Sequence, residues 1–351
     1  MVVGGWFDAE DLHGPPRDLP RDRAPTNPDV YNVLVMGPWP HGGWARSDGD
    51  HLGNISFGAK TAQHYRAEIE RRFFDFFPKI GGPIRNSAEA QALQTSPLRC
   101  LKRPSSTPAP SPGATSPPGP RPQLTPRRLY FQAEGALALD APPTDRAAAD
   151  RFVSDPRRPV PFSEDVHIGM TREYMTDDQR FAARRPDVLV YQTPPLSEDL
   201  TVAGPIAANL WVATSARDAD WVVKLIDVFP PDAPDHEHLR PGKHMGESQM
   251  MVRSEVLRGR YRDSYERPKP FTPGAPTAVR VPLQDVLHTF KKGHRVMVQL
   301  QSTWFPLVDR NPQSWVDNIF LARDQDFTAA THTVHRSAAR PTHIEITTLA
   351  Q

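Results

Sequence analysis

At 351 residues, with 38% hydrophobic and 24% charged residues, the chain has the balance of an ordinary globular protein and room for two domains. Forty-two Lys and Arg against 41 Asp and Glu leave a formal net charge of +1 with no sustained basic block, which excludes a protein that tracks nucleic-acid phosphates. No apolar run approaches the ~20 residues that cross a bilayer, the first residues lack the parts of a secretory signal, and one cysteine, Cys100, excludes an internal disulfide and a cysteine-based zinc site. The expectation is a soluble chain with no membrane or nucleic-acid partner; the compartment stays open.

Met1 leads directly into Val2, Val3, Gly4, Gly5 and Trp6, an apolar run with a glycine turn that reads as a buried strand, so the chain is expected to open in mid-fold. A second apolar run at 31–36 ends in Gly37-Pro38-Trp39-Pro40-His41, and a helix is predicted over 59–77 with aromatic residues on one face. Two buried strands and a helix fit the end of an α/β sheet. Between 96 and 126 proline dominates, with Ser, Gly and Arg between, a composition that buries little apolar surface and reads as an irregular linker. Short apolar runs then recur at 129–139, 188–192, 207–213, 221–228, 248–256, 278–281, 295–301 and 343–347, the pattern of an all-β sandwich. The imperfect alternation of 221–228 predicts a strand covered on both faces. The domains expected are therefore 1–95, a linker at 96–126, and a sandwich over 127–351.

Two residues just past predicted strands could carry chemistry. Asp8 follows Gly5-Trp6-Phe7, and His41 stands behind the rigid Pro38-Trp39-Pro40 turn. Acid before histidine is the chain order of an α/β-hydrolase triad, in which a serine precedes both. Ser56 has glycines on either side but follows the histidine, out of that order. His167, His236, His238, His244, His288 and His294 show no metal-ligand spacing and read as surface residues; no metal and no cofactor is expected. Trp304, Phe305 and Trp315 read as core or contact aromatics rather than a carbohydrate platform.

GGWFDAED at 4–11 and VMGPWPHGGWARSDGD at 35–50 resemble the acid and base loops of the CocE/NonD serine hydrolases, which include cocaine esterase-like enzymes, glutaryl-cephalosporin acylases, α-amino-acid ester hydrolases and X-Pro dipeptidyl-peptidases. The likeness continues through RPDVLVYQTPPLSEDLTVAGPI at 185–206, DADWVVKLIDVFP at 218–230 and FKKGHRVMVQLQSTWFPLVDRNP at 290–312. It implies the C-terminal remnant of an α/β-hydrolase domain followed by a jelly-roll-like β-sandwich. Asp8 would orient His41, His41 would relay the proton of a serine, and a small acyl ester, amide or short peptide would be cleaved through an acyl-enzyme. The family carries its nucleophile on a strand-to-helix elbow well upstream of the acid, and no such elbow occurs in residues 1–351, so this chain alone is expected to be inactive. Glu10 and Asp11 match a pair of carboxylates that, in α-amino-acid ester hydrolases, helps hold the substrate's ammonium group; capping of a helix N-terminus is the other reading.

Two stretches depart from the family pattern, the proline-rich segments at 14–28 and 96–126. The codons of residues 18–25 can be chosen so that a one-base shift encodes Thr-Tyr-Arg-Ala-Ile-Glu-Arg, a helix-compatible string, so frame errors in a GC-rich gene stand beside real proline-rich loops as explanations. The alternative function is a non-catalytic β-sandwich module that keeps hydrolase remnants. Homo-oligomerisation stays open.

Overall fold

The structure is a computed structural model that describes residues 1–8, 34–76, 124–141, 148–167 and 171–349. The chain divides into two compact units: 1–123 with 236–241 and 287–289 form the first, and the remainder forms the second.

In the first unit, β1 (Val2–Phe7) pairs in parallel with β2 (Leu34–Pro40), with Val3 opposite Val35 and Gly5 opposite Gly37. Parallel strands need a crossover, and they place their carboxyl ends, here Asp8 and His41, on the same side. After β2 come a single helical turn, α1 (Gly43–Arg46), and a small hairpin of β3 (His51–Leu52) and β4 (Ile55–Ser56). A helical run follows through α2 (Thr61–His64), a π-type turn at Tyr65–Glu70 and α3 (Arg71–Phe76), close to the predicted 59–77. Val35, Trp39, Ala62 and Tyr65 form the buried cluster between strand and helix.

The second unit is the sandwich. In chain order its strands are β5 (Leu124–Phe131), β6 (Leu137–Ala138), β7 (Ala149–Ser154), β8 (Leu189–Gln192), β9 (Leu200–Thr214), β10 (Asp220–Val228), β11 (Gln249–Arg258), β12 (Thr277–Phe290), β13 (Arg295–Gln301), β14 (Ala330–Ser337), β15 (Arg340–Pro341) and β16 (His343–Leu349). One sheet runs β11-β10-β13-β8; the other runs β15-β14-β9-β16-β5-β6, with β12 on β9 and β7 on β14. Leu210, Val212, Val281, Ile344 and Ile346 of the larger sheet share one core with Trp221, Val223, Leu225, Val298 and Leu300 of the smaller. The run at 129–139 is not one strand but β5 turning into β6 through Glu134 and Gly135, both at positive φ. Leu124, Thr125 and Pro126, assigned to the linker by composition, pair with Leu349, Thr348 and Thr347 of β16. Pro126 lies beyond the stretch of β5 that β6 covers, so its missing N–H breaks no ladder there.

Strand β10 is buried at every position. Trp221, Val223 and Leu225 face the shared core, while on the other face Val222 joins Phe162, Tyr174, Met251 and Trp304. Lys224 belongs to that second face and is fully buried. Its ammonium donates to Gln179 Oε1 at 2.9 Å and lies 5.1 Å from the Trp304 ring and 5.9 Å from the Phe181 ring. Among the described residues no carboxylate pairs with it, and burial lowers its pKa from 10.5 to about 7. At the start of the strand Asp218 pairs with Arg260 at 2.6 Å, both buried, and Asp220 accepts from Arg258 and from Asn311. Of the tryptophan-rich segment, Trp304 is core, Phe305 is 40% exposed, and Trp315 lies under the Arg260 guanidinium at 4.4 Å. The histidines read as surface residues divide: His167 and His244 are exposed, whereas His288 is buried and His294 is enclosed beside Phe229. Sequence spacing misses this because the burial of a histidine is decided by tertiary packing, which spacing along the chain does not carry.

The Lys224 burial gives a signed prediction. Between about pH 7 and 10.5 the unfolded chain holds the lysine proton and the folded chain does not, so stability rises with pH across that window, and the full burial penalty remains below it. Lys224→Met removes a buried charge while keeping much of the volume. Chemical denaturation should show the variant more stable by on the order of 1–4 kcal/mol near neutral pH. The wild-type rise in stability toward alkaline pH should be absent from the variant.

Candidate active site

Asp8 and His41 stand at the carboxyl ends of neighbouring parallel strands, and the backbone between them explains how they meet. Opposite Gly5 is Gly37, but opposite Phe7 is Pro40, so β2 carries one extra residue. The extra residue turns the Trp39 carbonyl toward β1. A Cβ at Gly5 would overlap that oxygen, which only glycine avoids. Trp39 itself is fully buried, donates from Nε1 to Thr61 Oγ1 at 2.9 Å and packs on Tyr65 at 5.3 Å between ring centres. Thr61 in turn donates to the Gly49 carbonyl at 2.6 Å. Immediately after His41 the chain reverses at Gly42, φ 67°, into α1.

The result is a pair of side chains joined through one imidazole nitrogen. His41 Nδ1 is 3.1 Å from Asp8 Oδ2 and 3.3 Å from Oδ1. The Asp8 side chain is 2% exposed and the imidazole 41%. The Asp8 amide donates to the Gly5 carbonyl at 3.2 Å, and Phe7 stacks on Phe57 at 5.8 Å. A buried carboxylate held against one nitrogen of a half-exposed imidazole fixes ring orientation and tautomer, leaving proton exchange to Nε2. Glu10 and Asp11 lie outside the described residues. Ser56, in β4, has its hydroxyl oxygen buried from solvent.

Residues 92–345 match the X-Pro dipeptidyl-peptidase C-terminal non-catalytic domain. The chain belongs to that domain's family, among the CocE/NonD hydrolases. Its relatives include the cocaine esterase of Rhodococcus sp. strain MB1 Bresler, 25% identical over 98% of this chain and 55% of the esterase. Among solved structures it resembles an aminopeptidase from a marine sediment Thaumarchaeota archaeon, with 36% identity, a TM-score of 0.81, and coverage of 99% of this chain and 55% of that one. An α-amino acid ester hydrolase gives 36% identity and a TM-score of 0.77 over 98% of this chain and 54% of that one. This CocE/NonD chain thus spans about half the length of the relatives it matches. Asp8 and His41 lie outside the segment matched to the non-catalytic domain.

Other polar clusters were not legible from spacing. In the sandwich His294 Nδ1 is 2.8 Å from Asp227 Oδ1, with side chains 13% and 3% exposed. A cleft of about 460 Å³ runs along β8, β10 and β13, with Arg180, Arg184 and Arg295 around an apolar floor of Val190, Val228 and Met297. Two of those arginines are already engaged, Arg180 with Asp178 and Arg295 with the Thr193 carbonyl. Within the first unit Asp50, His51 and His238 converge. No helix among the described residues is long and apolar enough to cross a membrane.

Because the clash at Gly5 is with backbone, it has no side-chain escape. Gly5→Ala should destabilise the first unit by about 3 kcal/mol, read as an earlier urea transition in the fluorescence of Trp6, Trp39 and Trp44. An unchanged transition would show that the strands can separate without loss.

Proposed function

We propose that the chain supplies the acid and base of a serine hydrolase that cleaves an acyl ester or amide, with the nucleophilic serine outside these 351 residues. The observation that carries the reading is the 3.1 Å contact between buried Asp8 and half-exposed His41 at the carboxyl ends of a parallel pair. His41 Nε2 takes the serine proton as Oγ attacks the acyl carbon, and the Asp8 carboxylate stabilises the imidazolium. The imidazolium then protonates the leaving alcohol or amine, and water repeats the sequence on the acyl-enzyme to regenerate the serine. In this reading Glu10 and Asp11 attract a substrate's α-ammonium group by Coulomb interaction. The sandwich is a supporting domain. A second reading, a non-catalytic module, is favoured by the description of the family domain that covers 92–345.

The tests separate the two. Purified as 351 residues, the chain should neither hydrolyse p-nitrophenyl or amino-acid esters nor be labelled by a fluorophosphonate; stoichiometric labelling would place the nucleophile inside it. Joined to a serine-bearing upstream region, it should hydrolyse acyl esters, and Asp8→Asn or His41→Ala should each lower kcat by roughly four orders of magnitude. Activity indifferent to both substitutions would leave the module reading. Replacing Glu10 and Asp11 with their amides should penalise α-amino esters more than matched esters lacking the amine, whereas equal losses would assign the pair to helix capping.

A further inference from the structure

We propose that Asp50, His51 and His238 form a binding site for a divalent transition metal of the zinc class, separate from the Asp8–His41 pair. All three residues belong to the first unit, and one ligand atom from each lies within 4.8 Å of the others. The Asp50 carboxylate contacts both rings, Oδ1 at 2.8 Å from His51 Nδ1 and Oδ2 at 4.0 Å from His238 Nε2. The two imidazoles lie face to face, ring centres 3.9 Å apart and planes 26° apart.

The site is held by contacts that do not involve its own ligands. Asp50 and His51 open the β3–β4 hairpin, whose backbone is closed by Phe57 N–H to the Asp50 carbonyl at 2.6 Å. On either side of His238, the 236–241 segment is fastened to that same hairpin. Ser56 N–H donates to His236 Nδ1 at 3.1 Å, and Arg240 N–H donates to Asn54 Oδ1 at 3.1 Å. His238 sits midway between these fastenings, so its approach to His51 is set by the backbone rather than by a mobile side chain. The side chains are 30–43% exposed, open enough for an ion and an exchangeable water.

Two imidazoles with one carboxylate select borderline ions such as zinc over calcium or magnesium, which prefer all-oxygen shells. At metal–ligand distances of about 2.1 Å, tetrahedral ligands stand roughly 3.4 Å apart. Rotation of the rings and the carboxyl group closes the remaining ångström or so. Three protein ligands leave a fourth position to water or to an external group. A bound ion would tie together residues far apart in the sequence, a connection the unfolded chain cannot make, so it would stabilise the folded form.

The probe is the metal alone, added to the tag-free, chelator-washed 351-residue chain. Titration calorimetry with Zn²⁺ should show one saturable site and a rise in melting temperature, and Co²⁺ should give the visible absorption of a tetrahedral centre. His51→Gln and His238→Gln should each weaken Zn²⁺ binding at least ~10-fold and abolish the thermal shift, while His244→Gln, an exposed histidine outside the site, should change neither. His51→Cys should gain preference for the softer Cd²⁺ and show a thiolate-to-metal absorption band, a readout that loss of a structural contact would not produce. Wild-type affinity in the His51→Gln, His238→Gln double variant, or absence of saturable Zn²⁺ binding by the intact chain, would overturn the assignment.

Discussion

The backbone of β1 meets the Trp39 carbonyl with no room for a side chain at Gly5, and the candidate active site depends on that contact. A regular parallel ladder would keep the two strand ends at one fixed offset. The extra residue in β2 instead holds His41 back by one position, level with Asp8, so that a short aspartate reaches an imidazole nitrogen without leaving its buried position. Trp39 pins the bulge from the other side, because its indole is buried and its N–H is committed to Thr61. The chain from β2 to the helix therefore acts as one support, in which a packed aromatic fixes a carbonyl and the carbonyl demands a glycine.

The sandwich solves a different problem. A strand with both faces covered gains apolar burial twice over, but every residue on it must then be satisfied without water. Most of β10 meets that condition with Val, Leu, Ile and Trp. Asp220 meets it with Arg258 of β11, and Asp218, just before the strand, pairs with Arg260 in the turn that follows β11; breaking either pair would leave a charge buried. Lys224 meets it only in part, through one amide oxygen and two aromatic faces, and so gives up its proton near neutrality.

Much of this was legible in the sequence where pattern and chemistry agree. The apolar runs at 221–228 and 295–301 became β10 and β13, and the predicted helix at 59–77 became the helical run from Thr61. Strands β7 and β14 were missed because Ala-Asp-Arg-Phe-Val-Ser and Ala-Thr-His-Thr-Val-His-Arg-Ser carry few apolar residues, and pairing with each other supplies what propensity does not. The first half of β9 was hidden by Gly204 and Pro205, and the turn inside 129–139 by the apolar residues around it. The Asp8–His41 pair was visible because each residue follows a buried strand. The Asp50, His51 and His238 cluster was not, since no spacing rule connects a hairpin to a loop so far along the chain.

Two of the aspartate–histidine pairs in the chain show why such a contact is not sufficient to mark a site. His294 and Asp227 approach more closely than His41 and Asp8, 2.8 Å against 3.1 Å, yet both partners of the sandwich pair are nearly enclosed and Phe229 lies against the ring. A histidine so covered satisfies a buried carboxylate and little else. In the first unit only the carboxylate is enclosed, while the ring reaches solvent at the end of a parallel strand. Proton transfer needs one anchored nitrogen and one accessible nitrogen on the same ring. On the function proposed above, that asymmetry of burial, rather than the shorter distance, is the ground for assigning acid–base work to Asp8 and His41.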